Sequence, residues 1–246
     1  NDFLNQYHLS IELSKKTLSY CIIDTKKLRC HLLHSVNYNN QEDLSNLLSN
    51  DMYITKKFHS KSIALSNYPN TLVPEELYNE KDNKKIFELN HEKAEVILID
   101  NLNNYQIKNI FSIPETLNQT INNLIPNINI KSQTTILIDY ILSKNYNAEK
   151  LTLYIKDNYV NILIANNNQL IFQNKFQFST KEDLLFYSLF CIQEMNLSPE
   201  KIDTEIYGNI SKSGFQILYE YIRNIQYGNK LKDISFSNEF HNIEEH

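Results

Sequence analysis

The chain has 246 residues, of which 41% are hydrophobic, and its 24 Lys and Arg against 29 Asp and Glu give a formal net charge of −5. This composition supports a folded core and excludes disordered polymers and small disulfide-bonded scaffolds. The acidic balance provides no positive field for phosphate backbones, so we expect no nucleic-acid partner. The chain has only three glycines, and the first 207 residues contain none. Phosphate-binding loops that depend on glycine are therefore absent from most of the sequence.

The start of the chain has the pattern of a three-stranded meander. Apolar runs joined by short polar connections predict strands at Tyr7 to Leu13, Thr17 to Asp24 and Leu28 to Tyr38. Acidic residues at Glu42–Asp43, followed by leucines at helical spacing, predict a helix, and Ser62 to Ser66 predicts another strand. The first part of the chain is therefore a βββαβ unit.

The middle of the chain continues with less regular elements. Polar sequence from Pro69 to Asn90 predicts only a short helix after Pro74, where proline precedes two glutamates. The later apolar patterns predict, in order, strands at Glu95 to Asp100 and Tyr105 to Ile113, a helix at Pro114 to Leu124, a strand at Ile128 to Ile130 and a buried helix at Thr135 to Leu142.

The second half begins as the first does. Three strands are predicted at Leu151 to Ile155, Tyr159 to Ala165 and Gln169 to Phe178, and Thr180 is the predicted N-cap of a helix. The remaining predicted elements are a strand at Glu205 to Tyr207, a helix at Phe215 to Asn224 and a last strand at Lys230 to Phe236.

An internal duplication explains this repetition. The helix start Glu42–Asp43–Leu44 recurs 140 residues later as Glu182–Asp183–Leu184, and Leu28 and Leu170 are 142 residues apart. The alternative is that any two amphipathic meanders look alike. Asparagine, with 35 occurrences, tolerates positive φ, so we expect it to replace the missing glycines in turns.

Three segments carry a resemblance to a known family: Thr71 to Tyr78, Leu170 to Leu184 and Ile206 to Ile210. They resemble an uncharacterised bacterial family with a duplicated actin-like ATPase fold, distantly related to proteins of type IV pilus and type II secretion assembly. The resemblance implies an α/β fold of two ribonuclease-H-like βββαβαβ units with mixed sheets, in the actin-like arrangement. It also implies an unidentified protein partner, with an envelope-assembly complex as one setting.

The predicted domain organisation follows from this fold. Residues 1–68 form the first half of subdomain I, and residues 69–147 form an insertion with the remaining strands and helices of that subdomain. Residues 148–246 form subdomain II, which repeats the βββαβαβ unit. No apolar run is long enough for an integral membrane segment, and we expect a cytoplasmic location.

The resemblance to actin-like ATPases implies an acid followed by glycine in the first hairpin turn of each half, and glycines beside the adenosine. Glu12 supplies an acid in the first turn, but Ser14 stands where glycine is expected. In the second half, Tyr154 occupies the place of the acid. Gly208 and Gly214 are the candidates on the adenosine side. These remnants of a nucleotide cleft are Glu12, Ser14, Gly208 and Gly214, although a turn and close helix packing would also explain the two glycines.

Other chemistry receives little support from the sequence. Glu12, Asp24 and Asp100 near strand ends could be carboxylates of a two-metal nuclease, but solvated turn residues are the better interpretation. Scattered histidines and three cysteines without metal-ligand spacing predict no metal site. The cysteines are expected to be reduced and buried.

Two functional hypotheses follow. In the first, the chain is a non-catalytic actin-like module, a protein-interaction or assembly scaffold with no cofactor and no catalytic residues. In the second, it is a divergent ATPase that still binds ATP and Mg²⁺. The missing phosphate-binding glycines favour the first hypothesis and argue against an enzyme.

Overall fold

A computed structural model describes residues 6–144, 146–228 and 235–236. The chain divides into two compact units. The first unit runs to Ile136 and includes the strand Ser235–Phe236, and the second begins at Leu137.

The first unit contains most of the strands. Its elements are β1 (Tyr7–Leu13), β2 (Thr17–Asp24), β3 (Arg29–Asn37), α1 (Gln41–Asn50), β4 (Ser60–Leu65), β5 (Asn70–Pro74), α2 (Asn83–Glu88), β6 (Val96–Leu102), β7 (Ile107–Ile113), α3 (Glu115–Leu124) and β8 (Asn129–Ser132). Helix α4 (Gln133–Ser143) contains the division between the units.

The second unit is shorter. Its elements after α4 are β9 (Lys150–Lys156), β10 (Tyr159–Asn166), β11 (Gln169–Gln177), α5 (Lys181–Glu194), β12 (Asp203–Gly208), α6 (Lys212–Tyr221) and β13 (Asn224–Tyr227). The strand β14 (Ser235–Phe236) then pairs with β3 of the first unit.

The main sheets of the two units have the same topology. The first has the order β14-β3-β2-β1-β4-β8, and the second has the order β11-β10-β9-β12-β13. In each, three antiparallel strands are followed by two that pair in parallel beside the first strand. The predicted mixed-sheet α/β fold, with its βββαβ unit occurring twice, is confirmed.

Both sheets carry a β-bulge at the same place. The register between β2 and β3 shifts after Ile22, and His31 is the additional residue. The register between β10 and β11 shifts after Ile164, and Ile171 is the additional residue. Because bulges are local features that a shared topology does not require, this match supports duplication over chance resemblance.

The helices that follow the meanders also begin in the same way. The Asn40 side chain accepts a hydrogen bond from the Asp43 amide (2.9 Å), and the Thr180 hydroxyl accepts one from the Asp183 amide (3.1 Å). At Thr180 the Asp183 carboxylate also accepts from the Thr180 amide, which completes a capping box. The N-cap predicted at Thr180 is confirmed.

Each unit has its own hydrophobic core. Alternation along the first strand of each meander places every second side chain in it. In the first unit these are Leu9, Ile11 and Leu13, and in the second they are Leu151, Leu153 and Ile155.

The structure corrects the prediction for the polar region after Pro69. That region contains a strand, β5, which pairs with β7 in a three-stranded sheet and was not predicted. The short helix predicted after Pro74 is a 3₁₀ turn, Glu75–Leu77, and α2 follows it at Asn83–Glu88. Val73 is the only buried residue of β5, so the strand has almost no hydrophobic pattern. Its pairing partner β7 fixes its conformation instead.

The predictions near the end of the chain are corrected in part. The predicted helix to Asn224 ends at Tyr221, and Asn224–Tyr227 forms a strand beside β12. Of the last predicted strand, Ser235–Phe236 is a strand, and residues 230–234 lie outside the described residues.

Candidate functional site

The first hairpin turn, between β1 and β2, is closed by its own side chain. Ser14 is 1% exposed, and its hydroxyl accepts hydrogen bonds from the Lys16 amide (3.2 Å) and the Thr17 amide (2.9 Å). The Ser14 amide donates to the Thr17 carbonyl (2.9 Å). Three amides of the turn are therefore satisfied inside it, where a phosphate cradle would aim them at the ligand.

Tyr38, the residue after β3, holds this turn from outside. Its hydroxyl donates to the Ser14 carbonyl, and its amide donates to the Lys16 carbonyl (2.9 Å). Burial raises the pKa of Tyr38 to about 12, so the phenol keeps its proton and stays a donor. The turn is thus held on both its amide and its carbonyl sides.

Glu12, the acid predicted for the first phosphate site, lies on β1 two residues before Ser14. Its carboxylate accepts a hydrogen bond from the Gln133 side chain (2.7 Å). Gln133 is buried at the first position of α4. The structure therefore brings Glu12 and Ser14 to one end of β1, where Glu12 joins that strand to the start of a helix.

The second hairpin turn, between β9 and β10, is closed by backbone conformation. Lys156 pairs with Tyr159 across a two-residue turn in which Asp157 has a φ of 53°. The Phe178 amide donates to the Asn158 carbonyl (2.9 Å), as the Tyr38 amide does in the first unit. Phe178 has no hydroxyl, so the clamp that Tyr38 adds to the first turn is missing here.

Gly208 ends β12 in the second unit and has a structural reason to be glycine. Its φ is 82°, and a Cβ there would lie 2.0 Å from the Ile155 carbonyl oxygen. The next amide, of Asn209, donates to that same oxygen (2.8 Å). No side chain can fit at Gly208 without moving the backbone of β9.

Gly214 lies in the first turn of α6. Its amide donates to the N-cap hydroxyl of Ser211 (3.0 Å), and a Cβ would lie 3.1 Å from both the Ser211 hydroxyl and Ile210 Cγ1. Close packing at the helix start accounts for this glycine. Glu12 and Ser14 thus belong to the first unit, and Gly208 and Gly214 belong to the second.

A buried ionic cluster in the second unit has no counterpart in the sequence predictions. Glu205 of β12 is 4% exposed, and its carboxylate lies 3.1 Å from Lys150 Nζ and 3.3 Å from Lys144 Nζ. The hydroxyls of Tyr146 (3.0 Å) and Tyr207 (2.6 Å) donate to the same carboxylate. The signal available in the sequence was polar residues alternating with apolar ones in Glu205–Ile206–Tyr207.

The cluster keeps Glu205 ionised. Burial alone would raise its pKa, but hydrogen bonds from Tyr207 and Lys150 and the charges of Lys150 and Lys144 lower the pKa overall. Burial together with the neighbouring carboxylate raises the pKa values of Tyr146 and Tyr207. A carboxylate already bound by two cations and two phenols is suited to holding β9, β12 and the residues after α4 together rather than to proton transfer.

A second buried network surrounds Asp100 on β6. Its carboxylate accepts from the Ser132 amide (2.7 Å) and the Thr135 hydroxyl (2.7 Å), and the Asn109 amide group donates to that hydroxyl (2.8 Å). Burial raises the pKa of Asp100, although these hydrogen bonds act in the opposite direction. Asp100 therefore fixes the start of α4.

This burial corrects the expectation of solvated carboxylates. Asp24 is also buried, and it accepts hydrogen bonds from the amides of Lys26 and Lys27.

Over residues 6–144, 146–228 and 235–236, no three His, Cys, Asp or Glu side chains gather as metal ligands. The same described residues include no helix that is long and apolar enough to cross a membrane. All three cysteines are free; Cys30 and Cys191 are buried, and Cys21 is half-buried.

The chain matches a known protein family. The family model described as "Protein of unknown function (DUF3822)" matches residues 2–225. No curated protein matches the chain in sequence.

Two solved structures are similar over nearly the whole chain. A protein of Bacteroides thetaiotaomicron with an actin-like ATPase fold and unknown function is 23% identical, with a TM-score of 0.85 over 93% of this chain and 94% of that one. A chain of the PilM–PilN type IV pilus biogenesis complex is 11% identical, with a TM-score of 0.64 over 96% of this chain and 92% of that one. The chain therefore belongs to the DUF3822 family of unknown function and has the actin-like ATPase fold.

Proposed function

We propose that this chain is a non-catalytic actin-like module that binds a protein partner as part of an assembly. The observation that carries the proposal is the first hairpin turn. The Lys16 and Thr17 amides donate to the Ser14 hydroxyl, so binding a phosphate there would require breaking both hydrogen bonds. No cofactor is needed for this role.

The energetic consequence is a large loss of nucleotide affinity. Each charge-assisted hydrogen bond to a phosphate contributes about 1.5–3 kcal/mol. Losing several of them weakens binding by several orders of magnitude, so we expect a Kd for ATP no tighter than about 1 mM. Hydrolysis would need still tighter placement of the γ-phosphate.

A role in assembly is supported by a structural neighbour. A chain that resembles this one at a TM-score of 0.64 was solved as part of the PilM–PilN type IV pilus biogenesis complex. We propose that this chain also binds a protein partner, and that it joins an envelope-assembly complex from the cytoplasmic side. The divergent-ATPase alternative would keep Glu12, Gly208 and Gly214 of a nucleotide site. Close packing accounts for both glycines, so Glu12 at the end of β1 is the residue on which this alternative depends.

Isothermal calorimetry with ATP and Mg²⁺ separates the two functions. The proposal predicts no heat of saturable binding for the native chain below about 1 mM ATP. Micromolar binding that disappears in Glu12→Gln would instead support the divergent-ATPase alternative and refute the proposal. Glu12→Gln is the suitable variant because it keeps an acceptor for Gln133, whereas a side chain at Gly208 would collide with β9.

A further inference from the structure

The matching helices α1 and α5 differ in the chemistry of their exposed faces. Buried residues fall at the same positions in both helices, 140 residues apart, at Leu44 and Leu48 in α1 and at Leu184 and Ser188 in α5. The exposed positions Asn46 and Asn50 of α1 correspond to Phe186 and Phe190 of α5. These two phenylalanines are 62% and 44% exposed. Duplication preserved the helix, but the outer face of α5 is aromatic.

These rings form a continuous strip that reaches β11. Phe186 stacks on Phe190 with centroids 5.9 Å apart and meets Tyr187 edge-on at 5.5 Å. Tyr187 stacks on Phe176 of β11 at 4.7 Å. We call Phe176, Phe186, Tyr187 and Phe190 the α5 aromatic strip. Phe176 and Tyr187 are half-buried against the core of the unit, and Phe186 and Phe190 extend the strip into solvent. Contiguous exposed apolar surface is a common feature of interaction sites.

The matching edge strands differ as well. In the first unit, the outer edge of β3 is covered by β14, which runs parallel to it and pairs Ser235 with Arg29 and Phe236 with Cys30. The Ser235 amide donates to the Leu28 carbonyl (2.8 Å). A short extended segment therefore completes that edge.

In the part of the chain that the structure describes, no strand pairs with the outer edge of β11. Its start matches the covered start of β3, because Gln169 pairs with Asn166 as Arg29 pairs with Asp24. Leu28 and Asn168, the residues just before these starts, have φ values of 49° and 62°. The positive-φ conformation of Leu28, whose carbonyl accepts from β14, is thus repeated at Asn168, just before β11.

The open edge is also apolar at this point. The bulged Ile171 is 50% exposed, and Lys175 is the only charged residue of β11. Farther along, the Lys175 amide donates to the Asn174 side chain (2.8 Å), so pairing is expected only at the start of the strand. Long apolar edges invite strand addition, and soluble proteins usually protect or cover them.

We propose that an extended segment of a protein partner adds to β11 as a parallel strand. It pairs with the backbone of Gln169–Ile171, as β14 pairs with β3, and places apolar side chains along Ile171 and the α5 aromatic strip. Main-chain hydrogen bonds supply affinity and the apolar contacts supply specificity. This proposal rests on the proposed binding function and names its surface.

The chain itself provides the probe. A synthetic peptide of residues 230–238 contains the two residues that pair with β3, and it is titrated into the ¹⁵N-labelled full chain. We expect saturable shifts of the Gln169–Phe172 amides. A control peptide with Ile234→Asn and Phe236→Asn should bind at least about tenfold more weakly, because its alternate apolar side chains are gone.

Protein variants locate the binding surface. Phe186→Asn with Phe190→Asn, which installs the residues of α1, should weaken the peptide at least about tenfold. Tyr221→Asn is the matched control. The Tyr221 side chain is also exposed, but it ends α6, which packs beside β13 at the opposite edge of the sheet. The affinity of this variant for the peptide should stay within about twofold of the native value.

Three results would overturn the proposal. One is the absence of saturable shifts at β11, and another is equal affinity of the native chain and the double phenylalanine variant. The third is a dimer in sedimentation analysis whose formation shifts the same amides without peptide, which would make a second copy the occupant.

Repeating the titration with ATP and Mg²⁺ tests the proposed function separately from the strand addition at β11. Binding of ATP would refute the proposed non-catalytic function whether or not the peptide binds.

Discussion

The two units of this chain share a sheet topology, a β-bulge and a capped helix, yet they differ at their surfaces. Buried residues fall at the same positions of α1 and α5, while Asn46 and Asn50 on one helix correspond to Phe186 and Phe190 on the other. Burial thus constrained the pattern of each unit, and the exposed positions were free to diverge. The aromatic face of the second unit is where a binding function would be expected to appear.

The hairpin turns teach a related lesson. The first turn is closed by the Ser14 hydroxyl and the Tyr38 clamp, and the second by a positive φ at Asp157. Neither turn contains glycine, and they reached closure by different routes. A turn stabilised by its own groups has no need of a ligand, and this is the physical reason for our proposal that the first turn does not bind a nucleotide phosphate.

The largest expected effect would come from placing a side chain at Gly208. Gly208→Ala should lower the free energy of unfolding by about 4 kcal/mol, because its Cβ would lie 2.0 Å from the Ile155 carbonyl oxygen at a φ of 82°. Gly214→Ala is the matched control and should change stability by no more than about 1 kcal/mol. Urea unfolding measures both. Equal effects would show that β12 does not require glycine.

The next effect concerns the ionic cluster around Glu205, which has no counterpart among the described residues of the first unit. Glu205→Gln should cost about 3 kcal/mol at neutral pH, because it leaves the buried Lys150 ammonium without its counter-charge. Adding Lys150→Met to that variant should recover part of the loss. A double variant no more stable than the single one would argue against this pairing.

The same variant has a defined pH dependence. Because the folded state lowers the pKa of Glu205, its contribution is complete above the unfolded-state pKa of about 4.3 and disappears as the pH falls through the lower folded-state value. The stability difference between the native chain and Glu205→Gln should therefore close in acid. A difference that stayed constant down to about pH 2 would contradict the assigned charge state.

Much of this fold could be predicted from the sequence, because the core strands carry a clear alternation, as at Leu9, Ile11 and Leu13. The prediction that Asn replaces glycine in turns is confirmed by residues of positive φ, namely Asn67, Asn127, Asn167, Asn168 and Asn196. Strand β5 was missed because only Val73 on it is buried. The candidate site was harder, since the roles of Ser14 and Glu205 depend on partners that pattern does not reveal.

Removing the closure of the first turn should have a smaller effect. Ser14→Ala should cost about 2 kcal/mol, because it leaves the Lys16 and Thr17 amides without their acceptor in a buried turn. Tyr38→Phe, which copies Phe178 of the second unit, should cost about 1 kcal/mol. Thermal unfolding at matched concentration checks both. If Tyr38→Phe were the more damaging change, the Tyr38 hydroxyl rather than the Ser14 hydroxyl would be the main group that holds the turn.

The smallest effect is expected where the two helices differ. Phe186→Asn with Phe190→Asn should change the free energy of unfolding by about 0.5 kcal/mol or less, because both rings are substantially exposed. A loss above about 2 kcal/mol in urea unfolding would mean that the rings stabilise the unit itself, and it would remove the reason to regard them as a binding face.

The most direct test of the central claim follows the amides of Lys16 and Thr17 by ¹⁵N NMR while ATP and Mg²⁺ are added. If the Ser14 hydroxyl satisfies these amides, their signals should show no saturable shift below about 1 mM nucleotide. A saturable shift of both signals with a micromolar midpoint would show that the turn opens to bind phosphate, and it would contradict the account.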